Sequence, residues 1–145
     1  LGGWISDNSV DSFYNLYAGG LMGLRGYPFY SMGGTKRGAA RLTLRFPLMT
    51  GIDKKLGPFY FDRIHGGLFA EAGDAWVSDL DLGNVKTDIG AEFRMKLFSW
   101  YGFPTDLQFT GAYGLDRFQI HDDNGIPVEY GKTWMWYFTL LFDFI

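Results

Sequence analysis

Thr87-Asp88-Ile89-Gly90-Ala91-Glu92-Phe93-Arg94-Met95-Lys96-Leu97-Phe98 alternates apolar and polar along most of its length. Ile89, Ala91, Phe93, Met95 and Leu97 are apolar; Asp88, Glu92, Arg94 and Lys96 are charged, with Gly90 among them. A helix, with its period of 3.6, could not keep strict alternation over such a stretch. The segment reads as a strand with one greasy face and one charged face.

The flanking segments repeat the pattern. In 37–48, Ala40, Leu42, Leu44 and Phe46 point one way, and Arg41, Thr43 and Arg45 the other. Pro47 is expected to end that strand, because Pro brings no ladder donor. A turn is then expected through Gly51 and Asp53-Lys54-Lys55. In 59–76, Ile64, Gly66, Leu68, Ala70 and Ala72 share one face; Arg63, His65, Gly67, Phe69, Glu71 and Gly73 share the other. That run is longer than a typical soluble strand. In 105–117, Leu107, Phe109, Tyr113 and Leu115 oppose Asp106, Gln108, Thr110, Ala112, Gly114 and Asp116. In 132–145, Trp134, Trp136, Phe138, Leu140, Phe142 and Phe144 make one unbroken apolar face. Residues 1–12 read as loop or the end of an earlier strand. Segments 77–86 and 118–131 read as polar loops, and 99–104 as a turn.

Alternation does not say which face looks inward. Three features point to a membrane barrel rather than a soluble sandwich, whose apolar faces would meet in one core. The apolar faces carry large residues in every good strand. Tyr60, Trp76, Trp100, Tyr101, Trp134 and Trp136 gather near strand ends, as interfacial girdles do. Short turns alternate with long loops. The composition agrees: 21 of 145 residues are Gly, about twice the usual share, and 19% are aromatic. No apolar run is long enough for a membrane helix. The net charge of -3 gives no basic footprint for nucleic acid, and the absence of Cys removes disulfides and thiolate metal sites.

The expected fold is all-β: about five C-terminal strands of an antiparallel transmembrane β-barrel. Residues 1–145 form one portion of it, and 18–38 make a long loop folded into the lumen. Membrane barrels start at eight strands, so the remaining strands, and any upstream domain, are expected outside this chain. Starting at Leu1 rather than Met, the chain reads as a processed or excised piece. The loop holds six glycines between Gly19 and Gly34. Its apolar residues, Leu21, Met22, Leu24, Tyr27, Phe29 and Tyr30, imply that it packs against something.

Phe13-Tyr14-Asn15-Leu16-Tyr17-Ala18-Gly19-Gly20, followed by Leu24-Arg25-Gly26-Tyr27, resembles the aromatic–Gly-Gly–(Val/Leu)-Arg-Gly-(Phe/Tyr) signature of the BamA/TamA superfamily, the bacterial surface antigen barrels. Arg41-Leu42-Thr43-Leu44-Arg45-Phe46-Pro47-Leu48 is similar to the strand that follows the loop in that family, and Phe69-Ala70-Glu71-Ala72-Gly73 to its Phe-x-Asp-x-Gly strand. The last aromatic strand resembles its C-terminal β-signal. There are departures: Glu71 stands in place of Asp, Arg41 where an acid is common, and Ile145 where the chain would end on an aromatic.

The resemblance implies a loop latch of Arg25, Gly26 and Tyr27 against Phe69, Glu71 and Gly73, with Arg25 meeting Glu71. It implies a seam strand carrying Trp136, Phe138, Leu140, Phe142 and Phe144. It further implies a location in the bacterial outer membrane and a role in protein transport or membrane protein assembly. The implied partners are outer-membrane lipid and lipopolysaccharide, the remaining barrel strands, unfolded outer-membrane or secreted proteins, and accessory lipoproteins. An alternative is a barrel that anchors an upstream enzymatic or binding domain, and a further one is a soluble β-domain.

No catalytic residue, metal or cofactor is expected, and the chain reads as a non-enzyme. His65 and His121 stand without clustered Cys or matched acids. Asp122-Asp123-Asn124-Gly125 near Glu129 lacks the spacing of a calcium loop, and Asp79 and Asp81 read as solvated. Ser31, Ser78 and Ser99 occupy no nucleophile elbow. Asp106 and Asp116 lie on one strand face about 33 Å apart, too far to cooperate.

Overall fold

A computed structural model of the chain describes residues 2–7, 16–79, 81–99, 102–121 and 126–142, with the backbone alone for 2–7 and Ser99. The strands are β1 (Gly2–Asp7), β2 (Leu16–Tyr17), β3 (Gly33–Gly34), β4 (Lys36–Leu56), β5 (Phe59–Trp76), β6 (Lys86–Ser99), β7 (Phe103–Gly114), β8 (Phe118–His121), β9 (Pro127–Tyr130) and β10 (Trp134–Phe142). Short 3-10 turns sit at Phe29–Ser31 and Leu82–Asn84.

Six strands form one antiparallel sheet in the order β1-β4-β5-β6-β7-β10. The five long strands expected from alternation are there, and β1 adds a sixth by pairing with residues 36–41 of β4. Among the described residues the sheet is open, with β1 at one edge and β10 at the other, and no closed barrel is seen. The fold is thus an all-β antiparallel meander.

Pro47 does not end β4. The strand runs on to Leu56 and turns at Gly57-Pro58, where Gly57 has φ 60°. The reason is positional. Beyond Arg41, β4 has a ladder on one side only among the described residues, and an edge strand tolerates a missing donor. Register shifts between Pro47 and Met49, and between Thr50 and Lys54, absorb the irregularity and keep Gly51 and Asp53 within the strand.

Three other boundaries differ from the sequence reading. β7 ends at Gly114, not Arg117. Phe103 and Pro104 belong to β7, opposite Ser99 and Phe98. Residues 118–131 are not a plain loop, because β8 and β9 pair into a ribbon. Its apolar residues alternate, and the rings of Phe118 and Tyr130 lie 5.7 Å apart. Tyr101, Asp122 to Gly125, and Asp143, Phe144 and Ile145 lie outside the described residues, as do Phe13, Tyr14 and Asn15 of the resemblance.

Register arranges the two faces into cross-strand rows. On one face Leu42, Ala70, Ile89, Tyr113 and Trp134 are successive partners. So are Leu44, Leu68, Ala91, Gly111 and Trp136, and so are Phe46, Gly66, Phe93, Phe109 and Phe138. Among the described residues nothing covers this face: Leu44 is 65% exposed, Leu68 53% and Phe138 67%. Trp134 and Trp136 stack at 5.4 Å, as do Phe109 and Trp136.

The opposite face carries the charged rows and the loop. Ala18, Leu24, Tyr27 and Met32 form a small core there, backed by Ala39, Ala75 and Phe118. The loop is knotted by its own backbone bonds: Ala18 donates to Met32, Leu24 to Ala18, and Gly20 to Tyr27, at 2.7 to 2.9 Å. Gly20 has φ 83°, which a residue with a side chain would adopt only under strain. The apolar face is therefore bare, and the buried cluster lies on the polar side, the reverse of a soluble half-buried sheet.

Candidate functional site

Arg41, Glu71, Asp88 and Gly114 are successive partners across β4 to β7 on the loop-bearing face. The alternation of four strands thus presents one cation and two acids in a row, and Gly114 leaves an opening at its end. Two residues further along, Thr43, Phe69, Gly90, Ala112 and Met135 form the next row, and Arg45, Gly67, Glu92, Thr110 and Tyr137 the one after. The loop drops Arg25-Gly26-Tyr27 onto these rows.

Arg25 is 4% exposed and Glu71 likewise. Arg25 donates from Nε to Oε1 of Glu71 at 3.0 Å, and its Nη2 lies 2.8 Å from the same oxygen. Its own backbone N–H donates to Oε2 of Glu71 at 3.0 Å. Nη1 reaches Oε2 of Glu92 at 3.3 Å. The guanidinium carbon lies over the Phe69 ring, 3.4 Å from its centroid. A planar, always-charged fork can satisfy two carboxylates and an aromatic face at once, as a Lys ammonium could not.

The rest of the loop tip is tied down as firmly. Gly26 donates its N–H to Oδ2 of Asp88 at 2.6 Å. A Cβ at position 26 would stand 2.6 Å from Cβ of Asp88 and 2.7 Å from the nitrogen of Gly114, so only Gly fits. Tyr137 donates its hydroxyl to the carbonyl of Arg25 at 2.8 Å. The Tyr27 hydroxyl donates to the carbonyl of Thr87 at 2.8 Å and accepts the N–H of Asp116 at 2.9 Å. Burial, with the charges of Asp116 and Asp88 adding to it, pushes the Tyr27 phenol from 10 up to about 12. Gly73 leaves room for Leu24, whose Cδ1 would lie 2.8 Å from a Cβ there.

All six residues of the expected latch, Arg25, Gly26, Tyr27, Phe69, Glu71 and Gly73, therefore meet at one place. Five more groups belong to it that the sequence reading did not assign: Arg41, Arg45, Asp88, Glu92 and Tyr137. Arg41 pairs with Glu71 and also donates from Nη2 to the carbonyl of Gly23 at 3.1 Å. Arg45 donates to Glu92 at 2.6 Å. Asp88 receives Gly26, and Tyr137 reaches Arg25 from β10. The alternation placed Asp88 and Glu92 on the correct face; only the register reveals that they meet the loop.

The seam residues lie elsewhere. Trp136, Phe138, Leu140 and Phe142 are on the bare face of β10, whose free edge has no partner among the described residues. Phe144 is outside the described residues. No group of three or more His, Cys, Asp or Glu suited to a metal occurs among the described residues. No helix among them is long and apolar enough to cross a membrane, which says nothing of strands. Comparison with protein-family models, curated proteins and solved structures gives no match.

Proposed function

We propose that this chain is a wall segment of a transmembrane antiparallel β-barrel of the BamA/TamA type in a bacterial outer membrane, acting in insertion or translocation of proteins. One observation carries the reading. Five long strands leave a face of Leu, Ile, Phe and Trp uncovered, while the opposite face buries a loop on an Arg25–Glu71–Glu92 network. In water that arrangement is inside out. Beside lipid it matches a barrel wall, with apolar residues outward and polar residues toward a wet interior.

Long strands and alternating turns support the same reading. The short connection at 57–58 and the one between Ser99 and Phe103 lie at one end of the sheet, and the long connections between Trp76 and Lys86 and between Gly114 and Trp134 at the other. The loop enters from the long-connection end, because β4 starts there. The free edges of β1 and β10 would need partner strands in lipid, where each unpaired backbone group costs several kcal/mol. The clasp would set the loop's place inside and brace the wall beside β10.

The test is an assembly or secretion assay in cells carrying the full-length protein. Arg25→Ala is expected to loosen the loop, expose it to protease and reduce transport. Cysteines that lock the edge of β10 to its neighbouring strand are expected to block transport. Full transport in both variants would contradict the proposal and leave the barrel as a tether for an upstream domain.

A further inference from the structure

Between the clasp and the short-turn end, the loop-bearing face becomes strongly cationic. His65 of β5 lies directly across from Arg94 of β6, and Arg63 directly across from Lys96. Arg94 and Lys96 are two residues apart on one strand, so they share a face about 7 Å from each other. These four, with Arg45, Gly66 and Glu92, line a cavity of about 260 Å³.

The cavity has four permanent cations and one carboxylate in its wall, and that carboxylate is already taken. Glu92 is held by Arg45 at 2.6 Å and by Arg25 at 3.3 Å. Arg63 leans on Asp62 at 2.7 Å, outside the cavity. Asp62 and Asp106 line the neighbouring cavity toward the turns, which Arg63 and Lys96 also border, and Asp106 lies directly across from Lys96 without an ion pair to it. Arg94 donates from Nη2 to Gln108 at 2.8 Å, but its Nε is buried with no hydrogen-bond partner. Neither Arg94 nor Lys96 has an ion-pair partner among the described residues.

Such a cluster works against folding. Like charges directly opposite each other on a sheet destabilise it, and a buried unpaired guanidinium N–H loses its hydrogen bond to water. Here the cationic side chains come from three adjacent strands and converge on one space. We infer that this cavity binds a phosphate-class anion, with Arg94 and Lys96 as its principal donors and Arg45, Arg63 and His65 around it. Phosphate oxygens accept from several directions at once, which suits a guanidinium fork and an ammonium on the same ligand. A diphosphate, with its extra charge, matches the excess of cations better than a single carboxylate would. The inference rests on one sheet face alone and does not depend on the transport reading.

The experiment titrates the full-length protein, folded in zwitterionic micelles, with inorganic pyrophosphate at constant ionic strength, followed by calorimetry. One saturable site is expected. Its affinity should fall about 10-fold in Arg94→Gln and again in Lys96→Gln, as expected for the loss of a charge-assisted contact. Lys54→Gln, at the turn end of β4 and outside the cavity, should bind unchanged. A second arm uses micelles containing phosphatidylglycerol. Competition with pyrophosphate there assigns the site to a lipid headgroup, and an unaltered isotherm assigns it to a soluble phosphate. Equal binding by the wild-type chain and the Arg94→Gln/Lys96→Gln double variant, or no saturable binding in either micelle, overturns the inference. Folding of each variant is checked by the shift in gel mobility on heating. If Arg94→Gln does not fold, Lys96→Gln and Arg63→Gln carry the same comparison.

Discussion

Gly90 lies directly across from Phe69, and the absence of a side chain there leaves room for the ring that supports Arg25. A Cβ at position 90 would stand 2.3 Å from Cζ of Phe69 and 2.3 Å from the carbonyl oxygen of Gly111. The ring cannot yield without losing its place beneath the guanidinium. Gly90→Ala is expected to destabilise the fold by about 1–3 kcal/mol, the usual range for overpacking. Urea unfolding in micelles measures it. Limited proteolysis of the loop should show earlier cleavage in the same variant.

Arg25→Lys is expected to behave more like Arg25→Ala than like wild type. A Lys keeps the charge but loses the fork, the contact to both Glu71 and Glu92, and the stacking on Phe69. Removing one member of a buried pair costs about 3–5 kcal/mol. The cost here should sit near or below the lower end, because Arg41 and Arg45 still compensate the two carboxylates. Unfolding midpoints of both variants, compared with Arg41→Ala, provide the check.

Asp88 and Glu71 are direct cross-strand neighbours, both buried, and Oδ1 of Asp88 has no hydrogen-bond partner. Asp88→Asn keeps an oxygen for the Gly26 N–H and removes one of two facing negative charges. It is expected to be neutral or stabilising, since like charges directly opposite weaken a sheet. Asp88→Ala should cost about 1–3 kcal/mol, because it leaves the Gly26 N–H buried and unpaired.

Tyr27 makes a pH prediction with a definite sign. Its phenol is raised from 10 to about 12, so the folded state holds the proton more tightly than the unfolded chain. That contribution is complete below pH 10 and is lost as pH rises toward 12. Wild type should therefore lose stability over this window, and Tyr27→Phe should lose less. At neutral pH the Phe variant should be weaker by about 1–3 kcal/mol, because the Asp116 N–H loses its buried acceptor and the Thr87 carbonyl its donor.

The sequence made the strands legible because their faces differ so sharply. Residues 87–98 and 134–142 could hardly be read otherwise. The loop could be matched to Glu71 through its resemblance to a known signature, since both motifs are short and local. Arg41, Arg45, Asp88 and Tyr137 were hidden for a different reason. Their partners depend on strand register, and a slip of one residue would move each to the other face. Pro47 misled because its cost depends on whether the strand has a neighbour on that side. The β8–β9 ribbon was masked by the polar residues around it, although Phe118, Ile120, Val128 and Tyr130 keep period two.

The chain has no cysteine, so single cysteines can be placed at will and spin-labelled. The most direct measurement compares labels at Leu44, Leu68 and Phe138 with labels at Thr43 and Thr139, in protein reconstituted into lipid bilayers. The account predicts that the first three collide freely with oxygen and are shielded from a water-soluble nickel chelate, and that the other two show the reverse. Equal exposure of both sets to the nickel chelate would contradict it, because the bare face of the sheet would then lie in water.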